Sequence, residues 1–513
     1  MTRIDRPLLF EATFVAAGVA FFVVLAVTSV RDAPAPVVLS LDPSLEGASE
    51  SWSGIYVGEQ KIGYSVHRSA AQDAGGLLLS ERTTLRMVLL GQSNDLHLAN
   101  DVSVDSDGDL SSLVAQVRTE VQGLPVTLRA EGRRAGRGID LDVFQAGAKL
   151  TTMHLDDAPA VPATLYRAVL AGDPKVGDRV SVPFFSPLSL TNAEATVEIT
   201  GRETAALPTG EPREAWRMRV DNSGQQLEVL VADDGTRLEE REVDGGLGMR
   251  IVAETRRVAL EEGWPDDQDA AVDLIALSSI PLDRKLPGAG RSLTTLVLEV
   301  QGPSAVDALL ARQHPDGWSL SDRRLTLTVP APADSPSYTL PAVERSLQHW
   351  TRSTTFAPAD HPTIVRKAGD ILGDDLDARS AARRLNSWVF NNIRKVPVAG
   401  VPSALEVLES QRGDCNEHTT LYTALARSVG IPTRVAAGIV YSESIYADGA
   451  FYYHAWPEVW LGDGWVPVDP TFGQFPADAT HLKLVEGDLD QQMDLMAVIG
   501  RLSLSVVDAS DPE

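Results

Sequence analysis

The chain has 513 residues, of which 43% are hydrophobic and 23% are charged, and its net charge is −26 at pH 7. This length favours about three domains, the ordinary hydrophobic content allows sizeable cores, and the charged fraction argues against long disordered stretches. The negative charge would repel phosphates, so we expect no nucleic acid as a partner. The single cysteine, Cys415, excludes an intramolecular disulfide and a cysteine-cluster metal site.

The N-terminal segment combines basic residues, an apolar run and a proline-rich linker. Arg3 and Arg6 precede nineteen residues without charge, from Ala12 to Val30. As a helix, this run would span about 28 Å, close to the thickness of a bilayer's hydrocarbon core. We therefore predict a transmembrane helix and linker over residues 1–36, anchoring the protein in a bacterial inner membrane with its bulk in the periplasm. A cleaved signal peptide and a buried helix are the alternatives.

Residues 50–262 show the alternation of apolar and polar residues that is typical of β-strands. Ile139, Leu141 and Val143, for example, are separated by single aspartates. Asp-Gly pairs at 107–108 and 234–235 lie between alternating runs and predict hairpin turns. The pattern predicts an antiparallel β-rich domain, a barrel or a sandwich, with one short helix at about residues 163–171.

The histidines of this region, His67, His97 and His154, are isolated in the sequence. We interpret them as solvated or hydrogen-bonded side chains rather than as ligands. A further stretch, residues 263–345, contains two strand-like runs followed by three prolines. It predicts a small β subdomain that leads into the C-terminal part.

The apolar period becomes helical in the C-terminal domain that we predict over residues 346–490. One predicted helix has an apolar face made of Ala381, Leu385, Trp388, Val389 and Ile393. A capping box at Ser403 begins a second helix, and Gly413-Asp414 leads into a third that carries Cys415. Three predicted strands follow, at residues 434–441, 451–461 and 465–469.

Three reactive side chains fall on these elements. Cys415 lies in the first turn of its helix, His454 within a strand and Asp469 at the end of the next strand. The free N–H groups and the dipole at a helix start favour a thiolate, and they suit an oxyanion as well. A hairpin can place Asp469 beside His454 and so orient its imidazole. This order predicts a nucleophile, a general base and an orienting acid.

The sequence around these residues resembles the transglutaminase-like superfamily of papain-type thiol enzymes. The matching segments lie within residues 370–475 and are Arg412–Cys415, Gly430–Arg434, His454–Trp456 and Gly464–Thr471. The resemblance implies an α+β fold in which the cysteine helix packs on an antiparallel sheet. It also implies Cys415 as the nucleophile, His454 as the general base and Asp469 as its orienter.

These observations predict a thiol enzyme that acts on a carboxamide or peptide bond of a protein or peptide in the cell envelope, through a thioester. Hydrolysis would make it a cysteine protease or amidase, and transfer to an amine would make it a transglutaminase. We expect no cofactor and no metal ion. Calcium dependence in particular is not supported, because no oxygen-rich loop of the calcium-binding type is visible. A non-catalytic binding or assembly scaffold is the alternative, and the oligomeric state is left open.

Other residues near the three have simpler interpretations. His418 follows Cys415 by three positions and fits a packed or capping histidine better than a catalytic one. Glu458 shares a strand face with His454, and a structural salt bridge is at least as good an interpretation as an orienting role. The tryptophans of these strands are interpreted as core residues.

Overall fold

The computed structural model describes residues 49–510 apart from 73–75, 90–91, 106–109, 122–123, 137, 146–147, 156–163, 187–190, 208–211, 223–224, 244–247, 262–278, 291–292, 303–309, 311–317, 330–336, 343, 355, 397–402, 444–448, 463, 488–494 and 496–500. Backbone contacts divide the chain into two compact units, Val23–Leu277 and a second that contains Ser278–Glu513. We call their described parts the β-sheet unit, residues 49–261, and the C-terminal unit, residues 279–510. The finer domain bounds given above stay predictions.

The predicted fold class needs one correction, which concerns the transmembrane helix. Among the described residues, no helix is long and apolar enough to cross a membrane. The helices Ala378–Asn392 and Cys415–Ser428 have 15 and 14 residues, whereas a span needs about 20. The predicted span, residues 12–30, lies outside the described residues. An uncharged run is a necessary condition for a span and does not by itself establish a helix, so we withdraw the helix and the single-pass location that rested on it.

The β-sheet unit consists mainly of fourteen described strands: β1 (Ser49–Val57), β2 (Gln60–Ala71), β3 (Leu77–Leu89), β4 (Gln92–Val104), β5 (Leu110–Val121), β6 (Leu124–Ala135), β7 (Gly138–Gln145), β8 (Ala148–Leu155), β9 (Arg179–Ser186), β10 (Thr191–Ala205), β11 (Arg213–Asn222), β12 (Gln225–Ala232), β13 (Arg237–Glu242) and β14 (Met249–Glu254). They form one sheet in the order β8-β7-β6-β5-β4-β3-β2-β1-β14-β13-β12-β11-β10-β9. Nearly all neighbours follow each other in the chain, so the predicted antiparallel meander is confirmed, as one continuous sheet rather than the two sheets of a sandwich.

The alternating sequence explains how these strands bury one face. In β7, Ile139, Leu141 and Val143 are buried, whereas Asp140 between them is exposed. A strand points successive side chains to opposite faces, so this pattern fixes which face meets the core. The Asp234–Gly235 turn joins β12 to β13 as predicted, with Gly235 at a φ of 80° that glycine adopts readily. The other predicted turn, at 107–108, lies outside the described residues.

A short helix, α1 (Leu165–Ala171), covers part of this sheet. Its Leu165 and Val169 join a buried cluster with Val197 and Val229 of the sheet. The helix predicted at about 163–171 is therefore confirmed. A second short helix, α2 (Arg256–Glu261), follows β14.

The isolated histidines of the β-sheet unit have polar partners, as predicted. The ring of His97 lies 3.2 Å from the Thr84 hydroxyl. His154 lies 2.6 Å from Asp140, and His67 lies 3.7 Å from Glu81.

The C-terminal unit contains eleven described strands: β15 (Ile280–Pro281), β16 (Thr295–Gln301), β17 (Trp318–Ser321), β18 (Arg324–Thr328), β19 (Arg394–Lys395), β20 (Arg412–Gly413), β21 (Thr433–Ser442), β22 (Ala450–Trp460), β23 (Trp465–Pro467), β24 (Leu482–Glu486) and β25 (Ser503–Ser510). One sheet has the order β15-β22-β21-β24, with β23 paired to β22, and another has the order β17-β18-β16-β25. Strands from residues 280–328 thus pair with β22 and β25, which come from the last part of the chain.

Four helices complete the C-terminal unit: α3 (Pro362–Leu372), α4 (Ala378–Asn392), α5 (Ala404–Ser410) and α6 (Cys415–Ser428). Two 3₁₀ turns, Pro287–Gly290 and Arg345–Thr351, are also present. The predicted apolar face of α4 is buried at Ala381, Leu385 and Val389, where it packs with Leu421 and Leu425 of α6. The cysteine helix is therefore at the centre of the core, with the antiparallel sheet beside it.

Helix starts are specified by side chains, though not always as the sequence suggested. Asp377 caps α4 by accepting a 2.9 Å hydrogen bond from the Ser380 N–H. Ser403 is the N-cap of α5, as predicted, but its side chain makes no capping hydrogen bond. The capping pattern therefore predicts the helix start correctly, but the side-chain hydrogen bond that it implies at Ser403 is absent.

Candidate active site

Cys415 is the first residue of α6 and exposes only 1% of its surface. Asp414 is the N-cap, and its carboxylate accepts a 2.9 Å hydrogen bond from the Asn416 N–H. In return, Glu417 accepts a 2.8 Å hydrogen bond from the Asp414 N–H, which completes a buried capping box. A Cβ on Gly413 would lie 2.1 Å from the Cβ of Glu417, so the box requires glycine at this position. The cysteine is thus held at a sharply defined helix start.

The β22–β23 hairpin brings His454 and Asp469 together. Strand pairing sets Glu458 opposite Pro467, and Asp469 follows two residues after the strand ends. The Nε2 of His454 lies 2.8 Å from Oδ2 of Asp469, and both side chains are completely buried. An ionised carboxylate only accepts hydrogen bonds, so Nε2 carries the proton and donates it. The predicted pairing of these two residues is therefore present in the fold.

The Cys415 thiol lies against the strand that carries His454. The sulfur has a hydrogen bond with the backbone of Ala455, the residue directly after His454. One helical turn later, the Thr419 hydroxyl donates a 3.0 Å hydrogen bond to the Ala455 carbonyl. These contacts fix the start of α6 to β22 at the histidine. His454 is thus in direct contact with Asp469. Cys415, at the start of α6, contacts Ala455, the next residue along β22.

Electrostatics at Cys415 run against the expectation of a resting thiolate. Burial raises the pKa of the Cys415 thiol well above its usual range, and the negative charge of Asp414 acts in the same direction. The hydrogen bond from the Ala455 backbone lowers the pKa and only partly opposes these effects. In this structure the resting group is therefore a thiol, although it lies at a helix start.

Asp469 is saturated with hydrogen bonds on both oxygens. Its Oδ1 accepts from the N–H groups of Thr471 and Phe472, at 2.6 and 2.9 Å. Its Oδ2 accepts from His454 and also from His481, at 2.8 and 3.0 Å. Burial alone would raise the pKa of Asp469, but His454, which is charged at the acidic pH where a carboxyl takes up a proton, and the hydrogen bonds of His454 and His481 hold it well below its usual range. The carboxylate is therefore ionised and fixed in orientation.

His481 is a residue of this site that the sequence reasoning missed. Its Nε2 lies 3.0 Å from Asp469, and its Nδ1 lies 3.2 Å from both the carbonyl and the carboxylate of Asp478. Burial opposes its charge, but the hydrogen bonds to Asp469 and Asp478 raise the pKa of His481 to about 9. The sequence offered one local signal, the Asp478-x-Thr480 turn that precedes it, but nothing linked that turn to Asp469.

Aromatic rings enclose the His454 imidazole. Phe472 stacks on it with ring centres 5.0 Å apart and planes inclined by 19°. Trp456 lies 6.1 Å away on the same strand and is fully buried, as the core interpretation predicted. Apolar rings around the imidazole exclude water and strengthen its hydrogen bond to Asp469. Phe472 was not singled out in the sequence, because a phenylalanine after a turn has no distinctive pattern.

His418 and Glu458 have structural roles, in line with their simpler interpretations. The Nδ1 of His418 lies 2.6 Å from the Asp414 carbonyl, and burial lowers the pKa of this histidine to about 4. Glu458 accepts hydrogen bonds at 2.6 Å from both Arg434 and Lys483. Its carboxylate is thus committed to a buried ion cluster and not to His454.

Within the described residues, His454, Asp469 and His481 bring their polar atoms within 4.8 Å of one another, a spacing compatible with a metal ion. The separations of 2.8 and 3.0 Å are those of ordinary hydrogen bonds. Both imidazole protons point at one carboxylate oxygen, which satisfies the three groups without a metal. We identify no metal ligands here, and the expectation of a metal-free site stays a prediction.

Two curated proteins from bacteria have similar sequences. An uncharacterised protein of Mycobacterium leprae is 29% identical over 123 residues, which cover 23% of this chain and 43% of the relative. An uncharacterised protein of Haemophilus influenzae is 27% identical over 176 residues, which cover 30% of this chain and 46% of the relative. The chain thus spans less than half of the length of either curated relative.

Among solved structures, two similarities have low scores. A β-barrel-like protein of Brucella abortus, from a domain family of unknown function, covers 40% of this chain and 94% of its own, with 9% identity and a TM-score of 0.33. A candidate cysteine protease of Cytophaga hutchinsonii covers 45% of this chain and 82% of its own, with 15% identity and a TM-score of 0.27. Scores this low do not establish a shared fold.

The family comparison matches the region that holds the site. A model of the transglutaminase-like superfamily matches residues 366–470. This range begins in α3, includes Cys415 and His454, and ends one residue after Asp469. The C-terminal part of the chain is therefore similar, over residues 366–470, to the transglutaminase-like superfamily.

Proposed function

We propose that the C-terminal unit is a thiol enzyme that attacks the carbonyl of a carboxamide or peptide bond in a protein or peptide. Cys415 is the nucleophile, His454 the general base and Asp469 the residue that orients the base. The observation that carries this proposal is the buried 2.8 Å hydrogen bond between His454 and Asp469, on the strand against which Cys415 packs. The match of residues 366–470 to the transglutaminase-like superfamily supports it.

The first step follows from which imidazole nitrogen is already engaged. Nε2 of His454 donates to Asp469, so Nδ1 is the nitrogen that receives the thiol proton. Because burial raises the pKa of Cys415, the proton moves to Nδ1 as the sulfur attacks, rather than beforehand. The Sγ–C bond forms, the carbonyl electrons move to oxygen, and Asp469 stabilises the imidazolium.

The second step breaks the carbon–nitrogen bond. His454 returns its proton to the departing amine, and a thioester on Cys415 remains. The Cys415 N–H, at the first position of α6, is the group that we assign to the oxyanion. Water then releases the acyl group as a carboxylic acid, or an amine takes it as a new amide. We propose hydrolysis and amine transfer as two uses of one thioester.

Thiol reactivity and turnover together test this proposal. We expect iodoacetamide at pH 7 to alkylate Cys415 at least about tenfold more slowly in His454→Ala than in the wild type, because the base is lost. His349→Ala, which changes an exposed histidine outside the site, is the matched control. Peptide profiling of envelope extracts with wild type and Cys415→Ala then identifies the substrate. Equal alkylation rates in the wild type, His454→Ala and His349→Ala would contradict the proposal and favour a non-catalytic scaffold. Products formed by Cys415→Ala would contradict the assignment of Cys415 as the nucleophile.

A further inference from the structure

His481 shares one carboxylate oxygen with the proposed catalytic histidine. Oδ2 of Asp469 lies 2.8 Å from Nε2 of His454 and 3.0 Å from Nε2 of His481. The two rings meet edge to face with centres 5.9 Å apart. The two imidazoles are both buried, and they share the single negative charge of the Asp469 carboxylate.

The hydrogen-bond partners of His481 define its protonation state. Nε2 faces an ionised carboxylate, and Nδ1 lies 3.2 Å from the backbone carbonyl of Asp478 and 3.2 Å from its Oδ1. A carbonyl oxygen can only accept, so Nδ1 must donate, and Nε2 must donate for the same reason. A ring that donates from both nitrogens is an imidazolium. The raised pKa of His481, about 9, agrees with this geometry.

Asp478 is itself held in place, so the clamp on His481 is rigid. Its Oδ1 accepts a 3.0 Å hydrogen bond from the Thr480 N–H, and its Oδ2 accepts one from the Gln474 side chain. Gln474 in turn exchanges two backbone hydrogen bonds with Asp469, at 2.9 and 3.0 Å. The loop from Asp469 to His481 thus closes on itself through side chains and backbone.

We infer that His481 is a positioning residue, a buried imidazolium that fixes the Asp469 carboxylate and takes up part of its charge, so that His454 rests as a neutral base. A fully available carboxylate would stabilise protonated His454 and occupy the base with a proton. Sharing the charge with a second cation weakens the stabilisation that Asp469 gives to protonated His454, which suits a thiol that is itself neutral at rest. This inference rests on the proposed function, since it assigns the role that His481 has toward the base.

Several other ionisable groups face this network and set its background. They are Asp469 and Asp478 in the loop, His454 on β22, Cys415, Asp414, Glu417 and His418 on or beside α6, and Lys395 on β19. The pKa of Glu417 is raised well above its usual range by burial and by the charge of Asp414. Burial lowers the pKa of His418 to about 4, so at pH 7 His418 brings no competing positive charge near Asp469.

Nitrogen NMR of histidine in the full-length, histidine-labelled protein tests the inference without a substrate. Resonances are assigned from their loss in His454→Gln and His481→Gln. We expect His481 to be an imidazolium at pH 7, with a midpoint well above 7. In His481→Gln, where an uncharged donor replaces the cation, we expect the His454 midpoint to rise by roughly one pH unit. A purely structural role predicts no such shift, and His349→Gln is the control for the loss of an exposed ring.

A second variant decides the matter if His481→Gln does not fold. Asp478→Asn removes the charge of the clamp and, with it, the oxygen that accepts from the Gln474 side chain, so the His481 midpoint should fall. A neutral His481 at pH 7 in the wild type, an unchanged His481 midpoint in folded Asp478→Asn, or an unchanged His454 midpoint in folded His481→Gln would overturn the inference. So would imidazole signals that change on adding EDTA, which would indicate a bound metal. Turnover by Cys415→Ala would instead defeat the proposed function and leave these NMR midpoints as they are.

Discussion

At the scale of single residues, the site depends on a few buried polar groups whose partners are fully specified. Asp469 accepts four hydrogen bonds, two from backbone N–H groups and two from imidazoles. The sequence predicts three members of this site because their types and order match a known chemical arrangement. It does not predict His481, because that contact depends on how a twelve-residue loop folds back on Asp469.

His481 also makes the stability of the protein depend on pH. Its pKa rises from an ordinary value near 6.5 to about 9 on folding, so the stabilisation is complete below pH 6.5 and is lost as pH rises through 9. This difference corresponds to about 3 kcal/mol of unfolding free energy. We expect urea unfolding of the wild type to lose stability between pH 6.5 and 9, and His481→Gln to lose less. Identical pH dependence in the two proteins would contradict a raised pKa at His481.

Gly413 offers a residue-scale test of the helix start. A Cβ at this position would meet the Glu417 Cβ at 2.1 Å and displace the buried capping box. We expect Gly413→Ala to lower the free energy of unfolding by about 1–3 kcal/mol and to slow alkylation of Cys415. Gly369→Ala is the matched control, because Gly369 lies in α3 with open space around it, and there alanine should stabilise by about 0.5–1 kcal/mol. Equal effects of the two substitutions would show that the box is dispensable.

At the scale of elements, α6 and the β22–β23 hairpin position the three proposed catalytic residues. The sequence predicts their order and approximate bounds, because apolar periodicity and capping residues are local signals. The register in which two strands pair is determined less by neighbouring residues in the sequence. The hairpin places Asp469 beyond the last paired residue of β23, so its side chain reaches His454 from a turn and not from within a strand. This position of Asp469 depends on its backbone bridge to Gln474, which no periodicity in the sequence predicts.

The caps of α4 and α5 allow a matched comparison at this scale. Asp377 accepts hydrogen bonds from the N–H groups of Ser380 and Ser337, at 2.9 and 2.6 Å. Ser403 makes no side-chain capping bond. We therefore expect Asp377→Ala to lower the free energy of unfolding by about 1–2 kcal/mol, and Ser403→Ala by only a few tenths. Thermal or urea denaturation measures both, and a larger loss in Ser403→Ala would contradict the capping geometry.

At the scale of the whole molecule, the β-sheet unit is the part whose form is easiest to predict and whose purpose is least defined. Strict alternation and hairpin turns are enough to predict an antiparallel meander, as β7 and the Asp234–Gly235 turn illustrate. The pairing of β1 with β14 joins segments about 200 residues apart, and no local pattern specifies such a contact. The apolar run at residues 12–30 is a case in which composition alone misled the prediction. It suggested a transmembrane helix, but no helix among the described residues is long and apolar enough to cross a membrane.

Net charge is also a property of the whole molecule. With a charge of −26 at pH 7 and a pI near 4.7, the protein should be least soluble close to pH 4.7, where self-repulsion vanishes. Turbidity across pH 4–8 measures this directly. We also expect no binding to duplex DNA at about 50 mM salt, measured by fluorescence anisotropy, because the phosphates are repelled. Salt-sensitive DNA binding would contradict the account of the surface charge.

The central claim is that the Cys415 thiol forms an acyl intermediate with the help of the His454–Asp469 pair. Stopped-flow mixing with p-nitrophenyl acetate tests it most directly, because attack on this ester forms an Sγ–acetyl bond and releases coloured p-nitrophenolate. We expect a burst of about one equivalent per chain in the wild type, an acetyl group on Cys415 by mass spectrometry, no burst in Cys415→Ala, and a burst at least about 100-fold slower in His454→Ala. A burst of unchanged rate in His454→Ala, or one that persists in Cys415→Ala, would contradict the claim.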